Sequence, residues 1–502
     1  MLEGFFVGVD VGTQSVKALV LEGSSGRVVG RGSRGVRMVE GLPRGHMEQR
    51  PQDWFQAAVE AVREAVGRSG VEPGEVRGLG VSGQQHGLVA LGEGGRVVRP
   101  AKLWNDTSTW EECRMLHEAL GGPEGLIALV GNPALPGYTA PKVLWLKRHE
   151  PTNYERTRAI LLPHDYLNYR LTGVAAMEYG DASGTLLMDV RSREWCPEVV
   201  EAIDPDLWDR LPQLGPSHRP VGPLLPRVAK LMGLPSGVLV SAGGGDNMMG
   251  AIGTGNTRPG RVTASLGTSG TIYAYSPTPV VDPRGEVAAF CDSTNAWLPL
   301  VCTMNVTVAT EAVRRLLGLS LEAFEEAVAA APAGSEGLLM LPYLTGERTP
   351  NLPHGCGALY GVTQTNLTPS NLARASVEGA TLGLNYGLNR LRALGVRPRE
   401  IRLTGGASRN RAWAQICADV FQAPVVGFTE QEGAALGAAI QAMWCTALHV
   451  DGEKVSIQDL ADSVVKLDEA SRLEPGGDAE QYRLLQQHHD SLREKLFPRV
   501  NH

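Results

Sequence analysis

Two short hairpins, one near the start of each half of this chain, restrict its fold more than any other feature. Residues Phe5–Val11 are almost all apolar and read as a buried strand, Gly12-Thr13-Gln14 as a turn, and 16–21 as a strand running back. The pattern recurs downstream: 262–266 is apolar, Gly267-Thr268-Ser269-Gly270 turns, and 271–275 returns. A hairpin repeated in this way points to an internal duplication, although Gly-Thr turns are common enough for two of them to coincide by chance. At 502 residues the chain also exceeds one ordinary core, which by itself leads to an expectation of two domains.

Between and after the hairpins, helical and strand-like segments alternate. Apolar residues at helical spacing (Phe55, Ala58, Val59, Val62, Val66) predict a helix over 54–66, followed by a strand over 76–81. In the second half a helix is expected over 372–394, introduced by Pro369-Ser370-Asn371 as a cap region, then a strand over 401–403, a Gly405-Gly406 turn and a helix over Arg411–Phe421. Strand-turn-helix alternation in both halves predicts two α/β domains with mixed sheets, 1–253 and 254–502, divided where Gly, Thr, Asn and Pro cluster between Gly253 and Gly260. The acidic stretch 451–478 and the tail with Gln486-Gln487-His488-His489 read as surface elements. His488 and His489 beside Asp490 offer metal ligands, but a solvated helix face is the better reading.

Composition removes several classes of function. The net charge of -7 arises from interleaved acids and bases with no long basic run, so neither nucleic acid nor a membrane surface is an expected partner. Seven dispersed cysteines without a CxxC pair fit buried thiols in a reducing compartment better than a disulfide framework or a zinc site. The first residues lack a basic n-region, and the most apolar stretch, 433–448, is interrupted by Gln441 and Thr446 and is short for a bilayer span. The expectation is a cytoplasmic protein.

The motifs narrow the chemistry. Gly78-Leu79-Gly80-Val81-Ser82-Gly83 matches GxGxxG, but its glycines fall inside a predicted strand and not between strand and helix, so it is no dinucleotide fingerprint. No GxxxxGK[ST] occurs, so a nucleotide must be held by other means. Asp10-Val11-Gly12-Thr13 offers one: a strand ending in a carboxylate, then a tight turn whose N–H groups and hydroxyl suit phosphate oxygens while the carboxylate suits Mg2+. An ordinary hairpin turn would look the same. Gly267-Thr268 repeats the donor chemistry without the acid, and Gly405, Gly406 and Asn410, between a strand and a helix, would let backbone approach a nucleoside. Asp246, on the glycine-rich turn Gly243-Gly244-Gly245 after an apolar run, has the chemistry of a general base for phosphoryl transfer and equally that of a helix cap.

The three glycine turns, taken in order, resemble the ATPase core shared by actin, hexokinase and heat-shock chaperones. The segment Gly137-Tyr138-Thr139-Ala140-Pro141-Lys142-Val143-Leu144-Trp145-Leu146-Lys147-Arg148-His149 and the stretch 357–382 with Glu378-Gly379 resemble two signatures of the FGGY carbohydrate kinases. The resemblance runs from about residue 5 to about residue 445. It implies two actin-like (ribonuclease H-like) domains flanking an ATP and sugar cleft, ATP and Mg2+ as cofactors, and a small-molecule sugar as the partner. A homodimer is left open. Ser82-Gly83-Gln84-Gln85-His86-Gly87, Leu103-Trp104-Asn105-Asp106 and Gly244-Gly245-Asp246-Asn247 are most similar to the members acting on D-xylulose. The resemblance then implies that Gln85 and His86 contact the sugar, that Asp246 and Asn247 sit at its phosphate-accepting hydroxyl, and that Asp10 positions the metal. Trp104 offers an apolar face for sugar C–H groups or simply packs in the core. Gly346-Glu347-Arg348-Thr349-Pro350 also resembles the family, and a buried structural Glu347–Arg348 pair is expected there. The competing readings are the same fold acting on ribulose, glycerol or gluconate and, more remotely, a non-catalytic ATPase switch.

Overall fold

The computed structural model describes residues 2–430 and 433–498, and in it the two hairpins head two sheets that share a five-stranded topology. The first hairpin, β1 (Phe5–Val11) and β2 (Ser15–Glu22), is flanked by antiparallel β3 (Val28–Gly35) on one side and parallel β4 (Val76–Gly83) on the other. Two short strands, β5 (Gly222–Pro223) and β6 (Leu239–Val240), complete the order β3-β2-β1-β4-β6-β5, and Gly244–Gly245 adds to the end of β4. The second hairpin, β7 (Arg261–Leu266) and β8 (Gly270–Ala274), is extended by β9 (Leu300–Thr303), β10 (Glu400–Thr404), β11 (Val425–Phe428) and β12 (Leu467–Leu473) in the order β9-β8-β7-β10-β11-β12. The two orders match in the direction of every pairing and in connectivity over the first five strands; they differ at the outer edge, where β5 precedes β6 in the chain but β12 follows β11. Chance recurrence of two turns would not produce that match; duplication does.

Helices cover the sheets: α1 (Pro51–Ser69), α2 (Thr139–His149), α3 (Pro163–Thr172), α4 (Asp246–Gly253), α5 (Pro369–Ala393), α6 (Arg411–Phe421), α7 (Gly433–Thr446) and α8 (Ala479–Leu496) among them. α1 buries Trp54, Phe55, Ala58, Val59, Val62 and Val66, the face its periodicity predicts. α5 is capped by Thr368, whose hydroxyl accepts the Asn371 N–H at 3.2 Å, one residue ahead of the expected cap region.

α7 comes late in the chain yet lies on the first sheet. Glycines make this possible: a Cβ on Gly8 would fall 1.9 Å from the Ala435 carbonyl oxygen, and one on Gly80 2.0 Å from that of Ala438. The glycines of the GxGxxG match therefore serve helix-on-sheet contact. α4 crosses α7 just as closely, with Gly253 against Gly433 and Gly437 against Met249. The apolar stretch proves longer than its sequence suggests, because a π turn extends α7. Gly433–Asp451 is long and apolar enough on length and composition to cross a membrane, but 72% of the window is buried inside the protein. Gln441, expected as an interruption, is fully buried.

The C-terminal part is no surface appendage. It supplies β12 to the second sheet, and Tyr482 on α8 donates to Glu378 at 2.7 Å and accepts from Arg374 at 2.8 Å, binding α8 to α5. His489 is buried against Tyr343, so the expected exposed His pair is half wrong: only His488 faces solvent. Five of the seven cysteines are buried, while Cys302 is half-buried and Cys356 exposed.

Candidate active site

Asp10, the last residue but one of β1, lies opposite Ser82 on the parallel β4, and the Ser82 hydroxyl donates to its carboxylate at 2.8 Å. Beside β4, the loop 241–245 leads into α4. Gln441 of α7 pins that loop: its side-chain oxygen accepts from the Ser241 hydroxyl and the Gly243 N–H, both at 2.8 Å, and its amide donates to the Gly243 carbonyl at 2.9 Å. Asn168 of α3 holds the Ala242 carbonyl at 2.7 Å. Asp246 is thereby fixed as the first residue of α4. Its N-cap is Gly245, and no side chain caps the helix, so the carboxylate is not used as a cap. It takes a 2.9 Å hydrogen bond from Asn247 Nδ2 and has its acidity suppressed: burial, then the nearby Asp10 and Asp181 charges, push it up to about 8. α4 also faces the second sheet, since a Cβ on Gly250 would lie 2.9 Å from the Tyr273 hydroxyl of β8. Asp246 stands where the two halves meet.

Behind it lies a buried charge network that no sequence motif announced. His164 Nδ1 is 2.6 Å from Asp181 Oδ2, and its Nε2 is 2.9 Å from Asp165 Oδ1. Burial opposes charge on this ring, but the two carboxylates outweigh it and keep the imidazole protonated well above its usual range. Asp181 is pushed up to about 6 by its own burial. Glu178, up to about 7 for the same reason, accepts from the Gly180 and Asp181 N–H groups and from the Ser217 and Ser293 hydroxyls.

On the other side of Asp246, Asn247 Nδ2 also donates to Gln85 Oε1 at 2.8 Å, so Gln85, Asn247 and Asp246 form one connected row. Gln85 Nε2 and His86 Nδ1 are buried and make no well-formed hydrogen bond within the protein, which leaves polar groups for a hydroxylated ligand. His86 adopts the left-handed φ of 64°, rare for a side-chain-bearing residue. Its ring packs against Tyr138 at 5.0 Å and Phe290 at 5.6 Å, and its carbonyl is held by Lys142 Nζ at 2.8 Å and the Thr139 hydroxyl at 3.2 Å. Lys142 Nζ also donates to the Gly137 carbonyl at 2.6 Å; burial lowers the lysine to about 7. Trp104 is more than packing: its indole N–H donates to the Thr13 hydroxyl at 3.1 Å. That hydroxyl in turn donates to Gln84 at 3.0 Å, so it is engaged within the protein.

The second and third glycine turns come together. Gly405, at φ 89°, sits so close to the end of β7 that a Cβ there would lie 2.6 Å from the Leu266 carbonyl oxygen, one residue before Gly267. A Cβ on Gly406 would meet nothing within 4 Å. Asn410 caps α6, accepting the Trp413 N–H at 2.9 Å. One other reading changes. Glu347 is not salt-bridged to Arg348; it accepts the Met304 N–H at 2.6 Å, the Arg348 N–H at 2.8 Å and Asn305 Nδ2 at 3.0 Å, because three donors already surround it. And His46, Glu48 and Asp106 have the spacing of metal ligands, but Lys102 Nζ lies 3.3, 3.7 and 3.0 Å from them and supplies the positive charge itself.

Asp181, His164, Gln441 and the anchoring role of Lys142 escaped the sequence reading. Only Lys142 carried a signal, its place within a signature; the others sit in segments whose relation to Asp246 is purely tertiary.

Two sheets of ribonuclease H-like topology with a desolvated carboxylate at their junction define the class of two-domain actin-like ATPases and sugar kinases. The chain belongs to the FGGY family of carbohydrate kinases: the family's N-terminal domain matches residues 5–253 and its C-terminal domain residues 262–446. It is 42% identical over 476 residues to the xylulose kinase of Haemophilus influenzae, covering 94% of this chain and 95% of that one. With the xylulose kinase of Bacillus subtilis it shares 37% identity, covering 87% of each. The crystal structure of a xyloylose kinase from Brucella ovis matches with a TM-score of 0.89 at 29% identity, covering 98% of this chain and 99% of that one.

Proposed function

We propose that this kinase transfers the γ-phosphoryl group of ATP to the 5-hydroxyl of D-xylulose, giving ADP and D-xylulose 5-phosphate. The observation that carries the chemistry is Asp246, a carboxylate raised to about 8 and fixed at the junction of the halves. A base with its affinity for protons raised toward neutrality is matched to taking a proton from an alcohol. The sugar is suggested by what the relatives phosphorylate, and the Gln85-His86-Asn247 row suits a polyhydroxylated acceptor. Trp104, tied to Thr13 of the first turn, is offered as the apolar face for sugar C–H groups.

ATP fits the open space above Gly406, with Gly405 and Asn410 lining the nucleoside and the backbone of Gly267 and Thr268 reaching phosphate. At Gly12 and Thr13 the phosphate role falls to the backbone, since the Thr13 hydroxyl is engaged. Mg2+ fits Asp10, an anchored oxygen donor whose charge bears on Asp246; when bound it would neutralise phosphate charge. The domains are taken as 1–253 and 254–502, closing over the sugar to keep water from the phosphoryl group.

Three tests follow from this site. ADP release with D-xylulose, D-ribulose, glycerol and gluconate should give the highest kcat/KM for D-xylulose; preference for another acceptor would move the assignment to that sugar. Asp181→Asn removes a negative charge facing Asp246 and frees His164 from one partner. Loss of that charge lowers the pKa of Asp246, so the acid limb of the kcat/KM profile should move to lower pH, and an unmoved limb would refute the coupling. Lys142→Met releases the His86 and Gly137 carbonyls and should raise the sugar KM about tenfold with the ATP KM unchanged, the cost of one strong buried hydrogen bond. A sugar KM like the parent's would show that His86 needs no such anchor.

A further inference from the structure

A cavity whose lining shares no residue with the Asp246 site lies in the first half. Its volume is about 510 Å3, the size of a small-molecule site, and it is lined by Arg96, Arg170, Arg227, Gln52, Tyr169 and Gly95 among others. No Asp or Glu lines it, in a chain whose net charge is -7. Among the described residues none of the three arginines is ion-paired to a carboxylate, although Arg34, Arg99, Arg114 and Arg258 elsewhere on the surface all are. They come from three separate elements: the loop after Glu93–Gly95, the last turn of α3, and the start of the helix Pro226–Met232.

The surroundings fix the arginines and keep the cavity open. Arg170 is held in place, stacked 4.0 Å over Phe55 and donating to the Tyr166 hydroxyl at 2.7 Å. α1, a helix of 19 residues, begins here with Gln52 in the lining and no side chain capping its first turn; Asp53, the acid of that turn, is not in the lining. Gly95 has φ 71°, and a Cβ there would fall 2.0 Å from the Tyr169 hydroxyl, so a side chain at this position would push Tyr169 out of place. Three guanidinium groups without acids, converging with a long helix's N-terminus on one cavity, are a receptor for a doubly charged oxyanion.

We infer that this cavity binds a phosphorylated small molecule, through Arg96, Arg170 and Arg227, at a site separate from that of ATP and the sugar. α3 carries Arg170 at one end and His164 at the other, so an occupant touches the helix that orients Asp181.

The test is calorimetric titration of the full chain, its nucleotide site saturated with ADP, with inorganic phosphate, ribose 5-phosphate and AMP in turn. At least one should bind saturably, and its affinity should fall tenfold or more in the double variant Arg96→Gln/Arg227→Gln. Both side chains are exposed, and unchanged sugar-dependent turnover will report that the variant is folded. Which probe binds distinguishes a free anion, a sugar phosphate and a mononucleotide as the ligand. Absence of binding by all three, or binding equal in the double variant, overturns the inference.

Discussion

Asp246→Asn is expected to lower kcat by about 10²–10⁴-fold, the usual loss on removing a general base, and at the same time to make the protein more stable in alkaline solution. The two effects share one cause. Burial and the charges of Asp10 and Asp181 raise the folded pKa of Asp246 to about 8, above the ordinary carboxylate value it has when unfolded. A raised folded pKa means that its stabilising proton is fully present below the unfolded pKa and is lost as pH rises through about 8. Above that pH the folded parent carries an ionised carboxylate in an unfavourable place, and Asn does not. Because Asp246 keeps part of its surface open, the gain is a discounted ~1–2 kcal/mol, widest above pH 8 and narrowing as the pH falls toward 4. Thermal unfolding at both ends of that range checks it, and a variant less stable than the parent at the alkaline end would mean the carboxylate is not destabilised as described.

Gly437→Val should have the largest structural effect. A Cβ at Gly437 would lie 1.8 Å from the Met249 carbonyl oxygen, 2.7 Å from its carbon and 2.9 Å from the Gly253 nitrogen. All three atoms are backbone, so no side chain can turn aside, and α4 must separate from α7. Overpacking of this kind costs about 3 kcal/mol or more, and α4 begins with Asp246, so any folded remainder loses turnover as well. Soluble yield and melting temperature measure the first effect, specific activity the second. Gly67→Ala in α1 is the control: its Cβ meets nothing within 4 Å, and the exchange should be neutral or slightly stabilising. Equal behaviour of the two variants would show that the α4–α7 contact is not the constraint described.

The fold was legible because local patterns repeat. The hairpins at Gly12-Thr13 and Gly267-Thr268, the helices starting near Trp54 and Arg411, and the strand before Gly405 are each signalled by periodicity or turn chemistry. Asp246 was legible as a candidate from the glycine-rich turn that carries it, whereas Asn247, Gln85 and His86 were candidates through the resemblance to the kinase family. The orientation of these groups was not legible. Asp246 is raised by burial and then by Asp10 and Asp181, which lie far from it in sequence, and the loop before it is pinned by Gln441, which in sequence looks like a flaw in an apolar helix. His489 misled in the opposite direction: polar neighbours hid the fact that its own face of α8 is buried. Likewise Glu347 and Arg348, adjacent and opposite in charge, suggested a pair, while backbone N–H groups claimed the carboxylate first.

The central claim is that Asp246 takes the proton of the sugar hydroxyl, and the most direct measurement is the pH dependence of kcat/KM for D-xylulose at saturating ATP and Mg2+, in the parent and in Asp246→Asn. The parent should show an acid limb falling about tenfold per pH unit, with its midpoint below about 8 because a cation at Asp10 favours the ionised form. In the variant the residual rate should lack that limb. A variant with sugar-dependent turnover near the parent's, or one that retains the same acid limb, would contradict the assignment.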